Sequence, residues 1–203
     1  MGGTDFAGTI VGSATMSGGV LVVPSQGPYM SLPAGTFGSY TSITIEVWAT
    51  PASSLGSWAR IFQLGSSVSN TGSLVLDRNS NTGTVMMEYF PASTSLPVLT
   101  SVAFNGQYLH AAIVLVKDAA PALYVNGAYI GSAGAVMSTM LTPSQFRVGG
   151  SLDGGNGFQG TIDEFRIWGG ALTATNIAKS YQQGPSKFVF FVWYNDGLSI
   201  SCR

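Results

Sequence analysis

The strongest constraint on this chain is the run Phe158-Gln-Gly-Thr-Ile-Asp-Glu-Phe-Arg-Ile-Trp168, where a strand pattern passes almost directly into a capped helix. Thr161 to Trp168 is rich in β-branched and aromatic residues. Leu172-Thr173 then precedes a helical stretch, Ala174 to Gln182, with Thr173 placed to cap it and Asn176 where a capping box would put Glu or Gln. Ile177 and Tyr181, four residues apart, are expected to share the buried face. Gly184 supplies a stop and Pro185 prevents continuation. No other helix pattern in the chain is convincing.

Upstream, strand patterns recur with turn signals between them, as in a sandwich or jelly roll. They run from Gly19 to Val23, Ile43 to Ala49, Ala59 to Leu64, Leu74 to Asp77, Val85 to Phe90, Tyr108 to Val116, Ala122 to Val125, Tyr129 to Ser132 and Gln145 to Val148. In Ile43 to Trp48, alternation sets Ile43, Ile45 and Val47 on one face, expected to be the core, and Thr44, Glu46 and Trp48 on the other. Asn126-Gly127 lies between Leu123-Tyr-Val125 and Ala128-Tyr-Ile130, and Asn-Gly suits the two positive-φ positions of a type I′ hairpin turn.

A chain of 203 residues fits one sandwich domain and can bury roughly 70% of its unfolded surface. Charged residues are 8% of the total, against about 25% in ordinary globular proteins, so salt bridges cannot dominate its stability. The formal charge is −1 with no Lys/Arg cluster, which leaves no footprint for neutralising phosphates and argues against a nucleic-acid partner. Near-zero charge also promotes self-association, favouring a tethered, extracellular or assembled protein. Cys202 is the sole cysteine, so no disulfide forms within the chain and no Cys-based metal site exists. No Asn begins an Asn-x-Ser/Thr sequon, and with the missing disulfides this favours a bacterial or viral surface over a eukaryotic secretory route. Met1-Gly-Gly-Thr-Asp-Phe6 lacks the charged and apolar regions of a signal peptide, and no apolar run approaches the roughly 18 residues of a membrane span.

The closing segment resembles the signature of laminin G-like domains of the concanavalin A-like superfamily, in which a Gly-x-Ile-Asp-Glu-x-Arg-Ile strand precedes a short Leu-Thr/Ser-x-x-x-Ile helix. Ser42-Ile-Thr-Ile-Glu-Val-Trp48, Leu109-His-Ala-Ala-Ile-Val-Leu-Val116 and Leu123-Tyr-Val-Asn-Gly127 are similar, in order, to three further strands of that family. The matches reach from Thr15 to Gly184. The resemblance implies an all-β fold, an antiparallel β-sandwich of concanavalin A-like jelly-roll type with one short C-terminal helix. A laminin G-like domain is expected over 1–184, with an apolar tail over 185–203.

Glucanases of the same superfamily carry carboxylates on one strand as Glu-x-Asp-x-x-Glu or Glu-x-Asp-x-Glu, and glycoside hydrolysis needs two such groups facing one sugar bond. Here Thr161 stands two before Asp163, and neither Phe165 nor Arg166 is acidic. Strict alternation also turns Asp163 and Glu164 to opposite faces. The chain is therefore expected to act without catalysis. Glu164 and Arg166 share a face with Trp168 in a structural network. His110, the only histidine, is expected to be a hydrogen-bonded sheet residue.

Resemblance to the family implies a structural calcium at the sandwich rim, with Asp153, Asn156 and Asp163 as oxygen ligands. Against it, Leu21-Val-Val-Pro-Ser-Gln-Gly-Pro-Tyr29 replaces an early Asp-Gly strand that often supplies a ligand, and Asp163 is equally able to bond nearby backbone N–H groups. Carbohydrate binding needs exposed aromatic platforms beside hydrogen-bonding groups. Tyr40, Trp58 and Arg60 near strand ends, with Asp153 and Asn156 in the Gly149 to Gly157 loop, are the candidate ligand rim. The alternative for Trp58 is packing against a sheet edge.

Lys187-Phe-Val-Phe-Phe-Val-Trp-Tyr194 lies beyond the resemblance and is too apolar to stand exposed without aggregating. It is either an added strand or a contact with another chain. The expected function is a non-catalytic carbohydrate-binding or adhesion module outside the cell, its partner a glycan or a surface protein. The rival is a structural assembly protein of a phage or other viral surface, and a glycoside hydrolase fragment ranks behind both.

Overall fold

The structure is a computed structural model describing residues 8–37, 39–65 and 72–185, with the backbone of 191–194. Two sheets pack face to face. The first holds seven strands in the order β1 (Thr9–Val11), β4 (Tyr29–Leu32), β13 (Gln145–Val148), β6 (Arg60–Gly65), β7 (Ser73–Arg78), β8 (Thr84–Phe90) and β9 (Leu96–Ala103). The second runs β12 (Ala128–Ser132), β11 (Ala122–Val125), β10 (Leu109–Val116), β5 (Ser42–Pro51), β14 (Gly160–Gly169), β3 (Val20–Val23) and β2 (Thr15–Ser17). Neighbours along both paths are antiparallel. The expected jelly-roll sandwich with one short helix, α1 (Ala174–Gln183), is what forms.

Period-2 alternation explains the core. Ile43, Ile45 and Val47 of β5, Leu74 and Leu76 of β7, and Phe165 and Ile167 of β14 all enter the apolar layer between the sheets. Phe62, Phe146 and Phe165 meet there with ring centroids 5.6–5.9 Å apart. All ten strand patterns read from the sequence are present. Four strands escaped that reading: β1, β2, β4 and β9. Three of these have only three or four residues, and β9 buries Val98 alone, so each gives alternation too little length or contrast to register.

The opposite face of β5 is not a solvent face. Thr44, Glu46 and Trp48 are as buried as the aliphatic set, because α1 lies across the outside of this sheet. Ile177 closes a second, smaller apolar cluster with Ala112 and Val114. Thr173 caps the helix by accepting from Asn176 N–H, and Gly184 ends it at φ 72°. Tyr181 corrects the expectation of a fully buried partner for Ile177: it stays 40% exposed and stacks on His110, centroids 5.7 Å apart.

Asn126 and Gly127 have φ of 49° and 77° between the paired Val125 and Ala128, the two-residue turn that Asn-Gly demands. Residues 191–194 form β15, parallel beside β14, which places that part of the apolar tail at the sheet. The rest of the tail, with Cys202, and the start at Met1 to Ala7 lie outside the described residues. Among the described residues no helix is long and apolar enough to cross a membrane.

Candidate functional site

The loop from Gly149 to Gly157 is pinned at both ends by main-chain bonds, Gly149 N–H to Ile61 C=O at 2.7 Å and Phe158 N–H to Gly149 C=O at 3.0 Å. Its far end docks on the start of β6, where Arg60 N–H donates to Asn156 C=O at 3.1 Å. Gly157 is required by close approach: a Cβ there would stand 2.9 Å from Gly27 N.

Arg60 is the clamp. Its Nη1 donates to Gln63 Oε1 at 2.7 Å, to Asp153 Oδ2 at 3.1 Å and to the Ser151 hydroxyl. Ser151 donates in turn to Asp153 Oδ1, which also accepts from Gly155 N–H at 3.1 Å. Gln63 Oε1 takes Leu152 N–H at 2.8 Å, so the loop is held across the outer face of the first sheet. Burial works against an ionised Asp153, but the bonds from Ser151 and Gly155 and the Arg60 charge outweigh it and hold the carboxyl below its ordinary range. Asp153 and Asn156 remain exposed.

Trp58 stands two residues before Arg60 with 37% of its surface exposed and φ of 63°, and its N–H is held by Arg78 C=O at 3.0 Å. A bulky residue in the left-handed region is strained. The fold therefore brings Trp58, Asp153 and Asn156 into one loop cluster around Arg60, whose own side chain is buried beneath the loop.

Tyr40 does not belong to it. Its ring packs against Gly169, where a Cβ would lie 2.6 Å from Tyr40 Cε1, at the end of β14. Gly157 and Arg60 bridge just before the other end of that strand, roughly 30 Å away at about 3.3 Å per residue. The proposed calcium set is likewise divided. Asp153 is engaged by Arg60, whereas Asp163 interacts with the Tyr108 hydroxyl on the second sheet. Among the described residues no group of three or more His, Cys, Asp or Glu is gathered to hold a metal ion. The three residues do not fit one hard-cation site, which needs several oxygens around one point.

A further correction concerns the Asp163-Glu164 pair. The register of β14 on β5 shifts between Ile162 and Glu164, and both Ile162 and Phe165 face the core. The bulge places Asp163 and Glu164 together on the outer face instead of on opposite faces. Each is committed there. Burial raises the Asp163 carboxyl above its ordinary range while the bond with Tyr108 opposes the rise, and Glu164 takes two bonds of 2.7 Å from Arg166. Glu46 lies beside them, 3.1 Å from His110 Nε2 and accepting from Trp168 Nε1 at 2.6 Å and from Ser180 at 3.2 Å. This layer fastens α1 to the sheet.

The sequence reading missed Asp77 and Glu88. Asp77 faces Arg60 across β6 and β7, and Glu88 sits diagonally from it on β8, all on the outer face of the first sheet. All three are buried, and neither Asp77 oxygen nor Arg60 Nε has a partner at full hydrogen-bond geometry. Asp77 and Glu88 still interact side chain to side chain. Acidic residues at outward positions of Leu74-Val-Leu-Asp77 and Met87-Glu88 were the available signal, but nothing local shows that this face is covered.

The family model of the concanavalin A-like lectin/glucanases superfamily matches residues 24–178. No curated protein matches the chain in sequence. Among solved structures, domain 4 of AbnA, an extracellular GH43 arabinanase from Geobacillus stearothermophilus solved with arabinotriose, is 22% identical, with 85% of this chain and 86% of that one covered and a TM-score of 0.67. The heptameric SAP-like pentraxin of Limulus polyphemus is 15% identical over 92% and 93%, TM-score 0.59. Trypanosoma rangeli sialidase aligns at 17% identity and TM-score 0.64, but the chain spans only 28% of it. At these identities the likeness is one of fold.

Proposed function

The chain belongs to the concanavalin A-like lectin/glucanases superfamily, and from that premise we propose that it is a non-catalytic carbohydrate-binding module acting at a cell or particle surface. The observation that carries this reading is the Arg60 clamp. It fixes an exposed loop bearing Asp153 and Asn156 beside a half-exposed Trp58 held in a strained backbone. A sugar offers an apolar face to an indole and hydroxyls to fixed carboxylate and amide groups, and pre-positioning those groups lowers the entropic cost of capture. The arabinotriose complex of the AbnA domain supports the reading through shared fold. Absence of catalysis is supported by the engagement of Asp163 with Tyr108 and of Glu164 with Arg166.

A glycan array followed by calorimetry on the best-retained sugar tests this. Trp58→Ala and Asn156→Ala should each weaken binding about tenfold or more with the sheet spectrum unchanged, a stacked ring being worth roughly 1 kcal/mol or more. A chain that retains no glycan and elutes as a large assembly would instead favour a structural protein of a virion or surface layer.

A further inference from the structure

We propose that Asp77 holds a proton beside Glu88, and that loss of this proton draws Arg60 off the Ser151–Asp153 loop toward Asp77, so that the rim loosens as the pH rises. The functional consequence rests on the carbohydrate-binding reading, while the device itself is a property of the protein alone.

The geometry leads to it. Asp77 is the register partner of Arg60, and Glu88 is its diagonal neighbour on the same face, a separation that long side chains bridge. Two carboxylates buried side by side cannot both ionise readily. Arg60 is the cation facing Asp77 from β6, Glu88 is the carboxyl facing it from β8, and Asp153 and Arg147 are the charged groups of the covering loop and of β13. Arg60 spends Nη1 on Gln63, Ser151 and Asp153, and its buried Nε has no partner. With Asp77 protonated, Arg60 stays with the loop. With the proton gone, Asp77 becomes a buried anion directly opposite the same guanidinium and competes for it. Burial first, and then the neighbouring Glu88, push the Asp77 carboxyl well above its ordinary range, with Arg60 opposing. The proton is therefore held at pH values where an ordinary carboxylate has lost it.

Carbon-detected NMR titration of the full chain from pH 4 to pH 9 tests this without any glycan. The Asp77 carboxyl signal should inflect above the carboxylate range, and the Arg60 Nε–H and the amides of Leu152 and Asp153 should move with the same inflection. Asp77→Asn should abolish that inflection at Arg60 and in the loop. Should Asp77→Asn fail to fold, Glu88→Gln must move the inflection toward the ordinary range. An Asp77 signal that titrates like a free carboxyl, or one that titrates while Arg60 and the loop stay still, overturns the proposal. Arabinotriose, or the sugar that the array selects, should bind about tenfold more weakly above the inflection than below it, within the usual range of coupling between sites. Absence of glycan binding at every pH would count against the carbohydrate reading, and the NMR titration would still decide the Asp77 proton.

Discussion

Arg166 grips Glu164, two residues back on the same strand, through two parallel bonds, Nε to Oε1 and Nη2 to Oε2, each 2.7 Å. Residues i and i+2 share a face, and the planar guanidinium matches a carboxylate in this paired mode. The same group lies 4.5 Å over the Trp48 ring and reaches Ser180 of α1 at 3.2 Å. Sheet and helix are joined through one side chain.

Arg166→Lys should therefore cost about 2 kcal/mol, since an ammonium keeps the charge but loses the paired bonds and the stacking in a buried setting. Urea unfolding checks this. A midpoint within error of the parent would mean that the joint contributes nothing.

Gly127 combines positive φ with contact. A Cβ there would lie 3.0 Å from Tyr181 Cδ1 and 3.3 Å from Ala178 Cα. Gly127→Val should destabilise by about 2 kcal/mol or more, and adding Tyr181→Ala should recover only the steric share. Full recovery in the double variant would assign the whole cost to the clash and none to the turn.

Asp153 and Asp77 give opposite pH dependences. The folded Asp153 carboxyl is depressed, so its stabilisation is present above the ordinary carboxylate range and is lost as the pH falls through its lowered value. The folded Asp77 carboxyl is raised, so its contribution is intact below the ordinary range and is lost as the pH rises through its raised value. Melting temperature should thus decline on both sides. Asp77→Asn should flatten only the alkaline limb and Asp153→Asn only the acid limb, and an exchange of those effects would refute the assignment.

Melting curves with excess calcium and with chelator should superimpose, because Asp153 and Asp163 are engaged by different partners on different sheets. A calcium-dependent rise, by preferential binding to the native state, would show that other oxygens assemble a site.

Deletion after Gly184 removes β15 and uncovers the edge of β14 from Arg166 to Gly169. The truncated chain should melt lower and associate more readily, since an open apolar edge invites pairing. Light scattering and thermal melting decide it, and unchanged mass and stability would make the tail dispensable.

Features that depend on neighbours along the chain are written locally in the residues. The Asn126-Gly127 turn, the Thr173 cap and Gly184 stop, and the inward set Ile43, Ile45 and Val47 follow from local dihedral and periodic preferences that tertiary packing did not override. Other features depend on contacts between segments far apart in the chain. A single extra residue at Asp163 brought two carboxylates onto one face, and the direction of Tyr40 separated it from the rim to which its sequence position pointed. The burial of Glu46, Asp77 and Glu88 depends on what covers each sheet from outside. Alternation specifies which way a side chain points and says nothing of whether water, a loop or a helix waits there, so the acid pair beneath Arg60 came from strands distant in sequence and paired by register.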